Sequence, residues 1–466
     1  SVLQRTRSPQ VTGLTRPPIP DPQPGTRPLH HPPAVIGFGP AGIFAALMLA
    51  ELGYKPIVYE RGRDVSRRHY DVLKKYYRDG VFDPTSNLLF GEGGAGTYSD
   101  GKLYTRISDP LVNQVLRRLH EFGADANILV DAKPHIGSDK LPTICRRIRQ
   151  HIERLGGQVC FESLLTDLRI ESGRLTAIQI NEEWIPAGPV VLAIGHSARD
   201  TVRMLAERGV QIVAKPFQMG VRIEHPQSMV DRWQYGCLAG HSRLPPAEYQ
   251  LVARSAAGEL GDLFSFCMCP GGIVLPSNES AGQVSTNGAS GSKRNSAYGN
   301  GGLVITVAPE LFGNDPLAGL VYQERWERAA FELTGQTYRV PAQRAADFLE
   351  GKASDGRLET SFPLGAQWAR IREVIPQPVA EALRRGLGML GKRMPGFAGK
   401  EAILMAPETR ASGPVRVVRD GQTREATRTK NLYPVGEGAG YAGGIVSSAV
   451  DGIKTAQVIV KTYAPG

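Results

Sequence analysis

The segment Gly37-Phe38-Gly39-Pro40-Ala41-Gly42 has the residue types and spacing to hold a dinucleotide diphosphate. A glycine at position 37 makes a tight turn, one at 39 lets backbone approach a pyrophosphate, and one at 42 allows a helix to pack close to a strand. With Pro40 and Ala41 opening the helix, its free N–H groups and its dipole favour negative charge at this spot. Glu60, 60 − 37 = 23 residues on, ends the next strand with Arg61 beside it and is placed to accept from ribose hydroxyls. The spelling alone means little, because Gly386-Leu387-Gly388-Met389-Leu390-Gly391 repeats it. That copy follows a helical stretch, Val379 to Arg385, with no strand before it, and is rejected.

A second glycine-punctuated corner lies near the other end of the chain. Thr427 to Glu437 reads TRTKNLYPVGE and runs into Gly438-Ala439-Gly440 and then a helix. A strand that ends in Gly436-Glu437 and turns into a helix start at Gly444, Ile445 and Val446 can hydrogen-bond a ribityl chain and aim amides at a flavin ring. The two corners together resemble the paired FAD signatures of the glutathione-reductase-like flavoproteins, with Glu437 where that superfamily usually has Asp. The blocks Gly91 to Leu103 (GEGGAGTYSDGKL), Lys133 to Leu141, Leu192 to Thr201, Met219 to Gln227, Cys267 to Gly272 and Pro407 to Arg416 are similar to those of a family of FAD-dependent dehydrogenases. The layout is more distantly similar to geranylgeranyl reductases and p-hydroxybenzoate-hydroxylase-type enzymes. The resemblance spans residues 34–466 and implies bound FAD and redox activity; it names no substrate. With FAD implied, the glycine-rich loop at Gly93, Gly94, Ala95, Gly96 and Thr97 is expected to hug phosphate or flavin, and Ala193 and Gly195 to pass the adenosine side.

Other side chains carry chemistry of their own. His196 is the sharpest candidate proton relay, against a purely structural hydrogen-bonding role. Ser197 to Asp200 has the form of a capping box, which makes Ser197 structural. Arg222 and Glu224 share one strand face at period two; they either anchor an anionic substrate or pair with each other. Cys267 and Cys269 sit on a predicted strand, where their Cβ atoms would be roughly 6–7 Å apart. A disulfide wants about 3.5–4.5 Å, so the pair is read as buried core thiols, with no metal site expected. Arg410 is a candidate contact for flavin or substrate.

The elements that must position these groups are read from pattern. Ala34 to Ile36 is a short buried strand, Ala41 to Leu52 a helix stopped by Gly53, and Lys55 to Glu60 a second strand, a βαβ opening. Helices are predicted at Leu111 to Phe122, Leu141 to Leu155 and Ala198 to Arg208, and a long final one at Ile445 to Val460. Beyond Pro216 the pattern turns to strands, at Gln218 to Glu224 and Leu263 to Cys269. Residues 277–301 read as turns and an exposed loop with hairpin signals at Asn287-Gly288 and Asn300-Gly301; helices follow near Pro316 to Leu333 and Pro341 to Leu349. The expected fold is α/β: a doubly wound, Rossmann-like FAD-binding domain (34–214 and 396–466) with an inserted, mainly β, α+β substrate or cap domain (215–395). Residues 1–33, with nine prolines, read as a flexible leader.

Composition bounds the rest. The 466 residues are 41 % hydrophobic and 21 % charged, which excludes wholesale disorder. No apolar run approaches the ~20 residues of a membrane span, so no membrane partner is expected. Five scattered cysteines argue for a reducing, cytoplasmic compartment rather than a disulfide framework. The net charge of +10 collects at the ends, with 17 basic against 10 acidic residues in 352–466. That excess motivates the alternative of an RNA-binding or tRNA-modifying flavoprotein, ranked below a solvated basic face; a flavin-binding scaffold or sensor without turnover is the other. Only one credible dinucleotide fingerprint exists, so an NAD(P)H donor would bind transiently, beside a small-molecule substrate. Oligomeric state is not readable from the sequence.

Overall fold

The computed structural model describes residues 19–466 and contains two large sheets. The first is a parallel sheet of five short strands in the order Leu432–Pro434, Val190–Leu192, Ala34–Ile36, Ile57–Tyr59, Gln158–Cys160. All but the last are nearly fully apolar and buried, as strands covered on both faces must be. The chain order runs outward from Ala34–Ile36 in both directions, so the strand order reverses between it and Val190–Leu192. Ligands of open α/β sheets bind outside the carboxyl ends of strands at such a point.

Two helices cover one face of this sheet. Pro40–Glu51 is buried from Ala41 to Ala50, and Ile445–Thr462 lies against it. Their contact is close because Gly452 faces Ala41: a Cβ there would stand 2.1 Å from the Ala41 carbonyl oxygen. The other predicted helices appear at Leu111–Glu121, Leu141–Arg154 and Arg199–Glu207.

The second sheet is mixed and has seven strands, in the order Val252–Ala253, Leu263–Cys269, Tyr298–Val307, Phe217–Pro226, Ile403–Glu408, Val340–Arg344, Ala366–Trp368. All its pairings are antiparallel except the last. It has its own apolar core, in which Phe217, Met219, Val221 and Ile223 are fully buried. A two-stranded ribbon, Ile212–Ala214 against Val415–Val417, joins the two sheets where the chain passes between them.

Several sequence expectations need correction. Ile403–Glu408 is a strand of the second sheet, so the return to the parallel sheet comes after Glu408 rather than at 396. Residues 277–301 are not an exposed loop: Thr286–Ala289 is a strand paired with Ile273–Pro276, and Ser277, Asn278, Ser285 and Thr286 are buried. Asn287-Gly288 and Asn300-Gly301 lie inside strands and make no hairpin turn, because pairing with Leu275, Val274, Glu224 and Ile223 outweighs their local turn preference. Pro341 to Leu349 divides into the strand Val340–Arg344 and the helix Ala345–Glu350. Of the predicted leader, residues 1–18 lie outside the described residues. Residues 25–33 are tied to the fold: Gly25 N–H donates to Val460 O at 2.8 Å, Ala464 N–H to Arg27 O at 2.9 Å, and Gly188 packs under His31 O. Among the described residues no helix is long and apolar enough to cross a membrane.

Candidate functional site

The site begins with two helix starts that lack a side-chain cap. Gly39 precedes Pro40–Glu51 and Gly444 precedes Ile445–Thr462; neither supplies a capping hydrogen bond, and neither first turn holds an acidic residue. The first amides of each helix are therefore left for an outside acceptor, and the two dipoles add positive potential. Gly37 holds the turn with φ +95°, and a Cβ there would stand 2.5 Å from Ala193 O. The turn at Gly436 touches the first helix, a Cβ on it reaching to 2.9 Å from the Ala41 Cβ. The two corners, four hundred residues apart in sequence, are adjacent.

They open on a cavity of about 470 Å³ between the two sheets. Of the predicted cofactor residues, Gly37, Gly39, Pro40, Ala41, Glu60, Arg61, Gly94, Ala95, Gly96, Ala193, Gly195, Gly436, Glu437, Gly444 and Ile445 line it. Gly42, Gly93, Thr97 and Val446 do not. Gly42 sits under the turn, where a Cβ would be 1.9 Å from Gly37 O. Gly93 N–H donates to Phe38 O at 2.9 Å and the Thr97 hydroxyl to Glu92 O at 2.7 Å, which fastens the loop to the first turn. Val446 is part of the core.

Glu60 binds backbone amides from three loops. Its Oε2 accepts Phe38 N–H at 2.8 Å, and its Oε1 accepts Gly62 and Gly91 N–H, each at 2.9 Å. Buried at the cavity edge, it draws three loops to one point. Arg61 reaches Asp200 Oδ1 and Thr201 Oγ1, both at 2.9 Å, with its guanidinium over the Phe90 ring.

Two positioning residues gave no sequence signal. Arg68 is fully buried and donates to the carbonyls of Asn87 (2.7 Å), Glu92 (2.8 Å) and Gly94 (2.9 Å). It thereby clamps the glycine loop with its carbonyls turned toward the guanidinium. Asp451, on the final helix, accepts Gly436 N–H at 2.8 Å and pairs with Arg419 and Arg424. Burial works against its charge, but the hydrogen bond and charge of Arg419, then the charge of Arg424, hold the carboxyl below its usual range. One Arg of a basic segment and one Asp in a helix resemble ordinary surface residues in a sequence, and only tertiary contact distinguishes them.

The three residues predicted to be catalytic separate. His196 lines the cavity with Nδ1 3.4 Å from Glu437 Oε1, and its Nε2 is buried without a partner. Arg222 and Glu224 neither line the cavity nor pair with each other. Arg222 is fully buried and pairs with Glu408 through Nε and Nη2 (2.7 and 2.8 Å), also donating to Cys267 O and Asn287 Oδ1. Glu224 accepts from Ser361, and burial pushes its carboxyl up to about 7. Their neighbour His225 is buried too; desolvation lowers it to about 4 and its Nε2 meets Phe397 O at 2.8 Å, so the ring is neutral. The strand alternates as expected, but both of its faces are covered. Ser197 is not a helix cap: its hydroxyl accepts from Arg410 at 3.1 Å. Arg410 lines the cavity, anchored by Glu327 and Glu279.

The cysteine reading also changes. The strand Leu263–Cys269 has a bulge between Phe266 and Cys269, and Cys267 takes φ +43°. The extended geometry assumed for the pair is absent. Both thiols are free, the Cys269 thiol donates to Cys267 O at 3.3 Å, and Cys267 lines the cavity.

The donor set fits a dinucleotide with a polar linker: amides free of side-chain caps at two helix starts, a buried carboxylate at one end, and a wall rich in glycine between. Comparison with known proteins agrees. A family described as "FAD-dependent protein, C-terminal domain-like" matches residues 216–411. A protein of Clostridium beijerinckii described as uncharacterised is 45 % identical over 442 residues, covering 94 % of this chain and 82 % of its own length. The chain belongs to the FAD-dependent protein family. Its five-stranded parallel sheet with flanking helices gives it an α/β, Rossmann-like core. Solved structures similar to this FAD-dependent protein include L-proline dehydrogenase from P. horikoshii (11 % identical, 94 % of each chain, TM-score 0.40) and glycine oxidase from Geobacillus kaustophilus (11 %, 93 % and 95 %, TM-score 0.41).

Proposed function

We propose that this protein is an FAD-dependent oxidoreductase that moves a hydride between FAD in the cavity and a small organic substrate lodged against the seven-stranded sheet. Gly37, Glu60, Ala193 and Gly195 would hold the adenosine end of FAD, the amides of Ala41 and Gly42 its diphosphate, and Gly94–Gly96 with Gly444 and Ile445 its ring. Bound there, the cofactor supplies the two-electron chemistry. The protein binds and orients it, excludes water with the second sheet, and places the His196–Glu437 pair at the cavity wall to hold or pass a proton. The start of the final helix favours negative charge on the ring. The parallel sheet with the flanking helices forms the FAD domain, joined by the ribbon Ile212–Ala214 and Val415–Val417 to a cap built on the seven-stranded sheet.

The observation that carries this reading is the convergence of two uncapped helix starts, without acidic first turns, on one cavity at the switch point of the sheet. Anaerobic addition of NADH, NADPH and candidate organic donors, followed by flavin absorbance, tests it. Bleaching by one donor and recovery with an acceptor are expected. A flavin that no two-electron donor reduces, and that no acceptor reoxidises after chemical reduction, would leave a binding protein without turnover.

A further inference from the structure

We propose that Cys267 is a nucleophilic catalytic residue of this cavity, attacking the electrophilic carbon of a conjugated carbonyl substrate, with Lys102 as its positioning residue. The inference rests on the reading of the cavity as the flavin and substrate site. The bulge that breaks the strand at Cys267 puts this residue in the left-handed region, a conformation that costs on the order of 1 kcal/mol for a residue with a Cβ. Strain of this kind persists where surrounding structure enforces it and gathers at working sites. Here it turns Cys267 to the cavity wall while Cys269 is buried behind it.

The surroundings suit a charged sulfur. Lys102, from the glycine loop, has Nζ 3.7 Å from Cys267 Sγ and also donates to Met268 O. Burial alone would lower Lys102, but the pull of Cys267 and Asp100 raises it, so it is an ammonium. The groups facing Cys267 are Cys269 on its own strand, Lys102, Asp100 and Tyr104 on the loop, Arg222 on Phe217–Pro226 and Glu408 on Ile403–Glu408. The adjacent Cys269 thiol lowers the Cys267 thiol, desolvation opposes it, and Lys102 and Arg222 lower it further, for a net shift below the ordinary thiol value. Cys269 is raised in return and stays a thiol.

A separate observation marks the same wall as a place for a ligand. Asp100 lines the cavity and is 2 % exposed, yet neither carboxylate oxygen has a hydrogen-bond partner. Arg294, its nearest cation, is 3.5 Å away. With that ion pair but no hydrogen bond to either oxygen, a buried carboxylate beside a cavity calls for a donor from whatever occupies it. A thiolate is a soft nucleophile and adds to an alkene carbon conjugated with a carbonyl. One C–S bond forms, the alkene π pair moves to the carbonyl oxygen, and a proton from solvent or substrate completes the α-carbon. No oxidant or reductant is consumed.

N-ethylmaleimide is itself such a conjugated carbonyl and serves as the probe on the purified flavoprotein, with labelling read peptide by peptide by mass. The exposed Cys237 reports the reagent's own activity. An ordinary thiol slows roughly 80-fold between pH 8 and pH 6, whereas Cys267 is expected to slow by about threefold or less. Lys102→Met should steepen that profile about tenfold and Lys102→Arg should restore most of it. Cys267→Ser should lose the adduct with its flavin spectrum intact. Cys267 left unlabelled while Cys237 reacts, or labelled with an ordinary thiol's pH profile, overturns the proposal. Loss of flavin absorbance is a separate readout and counts against the cavity assignment instead.

Discussion

Replacing Gly42 by Ala should cost this protein its cofactor before it costs the fold. The added Cβ would stand 1.9 Å from Gly37 O, 3.1 Å from Gly37 C and 3.3 Å from Val35 Cγ1. Bringing the first contact to even 3.0 Å requires a retreat of 3.0 − 1.9 = 1.1 Å, and the obstacle is a backbone carbonyl rather than a movable side chain. Overpacking of this kind costs about 1–3 kcal/mol, and this case belongs at the upper end. The displaced amides are those offered to the diphosphate, and each hydrogen bond to a charged group is worth about 1.5–3 kcal/mol. Losing one weakens binding about 10- to 100-fold. The control comes from the same chain. Gly388, in the rejected copy of the motif, lies inside the helix Gln377–Arg393 with nothing within 4 Å of its would-be Cβ. Gly388→Ala should therefore stabilise by about 0.5–1 kcal/mol and leave FAD affinity unchanged. Thermal melts with and without FAD, and a flavin fluorescence titration, measure both. Gly42→Ala binding FAD within threefold of the parent, or Gly388→Ala losing it, would refute the reasoning.

Three other perturbations follow from the structure. Arg68→Met leaves the carbonyls of Asn87, Glu92 and Gly94 without their buried donor, and should release the glycine loop, seen as faster proteolysis near residues 87–94 and weaker flavin retention. Asp451→Asn removes the partner of two largely buried arginines and should destabilise by about 3–5 kcal/mol in a melt at neutral pH. Because the folded Asp451 carboxyl lies below its ordinary 3.8, its contribution is present above that value and lost as pH falls through the folded one, so parent and variant melts should converge in acid. Glu224 has the opposite sign: raised from 4.5 to about 7 by burial, it stabilises the fold at low pH and loses that contribution as pH rises through about 7. At pH 8 its charge costs about 3 kcal/mol, so Glu224→Gln should melt higher than the parent at pH 8 and remove part of the decline between pH 5 and pH 8.

The sequence carried the two glycine corners because their chemistry is local: a strand, a turn and a helix start within ten residues leave a readable spacing. The packing between them was legible only in outline. Glycines placed for close approach, such as Gly452 against Ala41, look like helix weaknesses until the partner is known. Misreadings arose where tertiary contact overrode local preference. Asn287-Gly288 and Asn300-Gly301 would be turns in isolation but are held flat as neighbours in two sheets. The strand Phe217–Pro226 is alternating in sequence, yet sheet and helix bury both its faces, so Arg222 and Glu224 found internal partners instead of substrate. The Cys267 bulge has no local signature, since nothing in Phe266-Cys267-Met268-Cys269 forbids a regular strand.

Everything about the cavity depends on which molecule fills it. The most direct test purifies the protein without added cofactor, records its visible spectrum, then denatures it and weighs the released chromophore. The account predicts yellow protein giving FAD, close to one per chain, bound through Gly37 and Gly436. Folded protein that is colourless and takes up no added FAD, or that yields a flavin lacking the adenosine half, would contradict it.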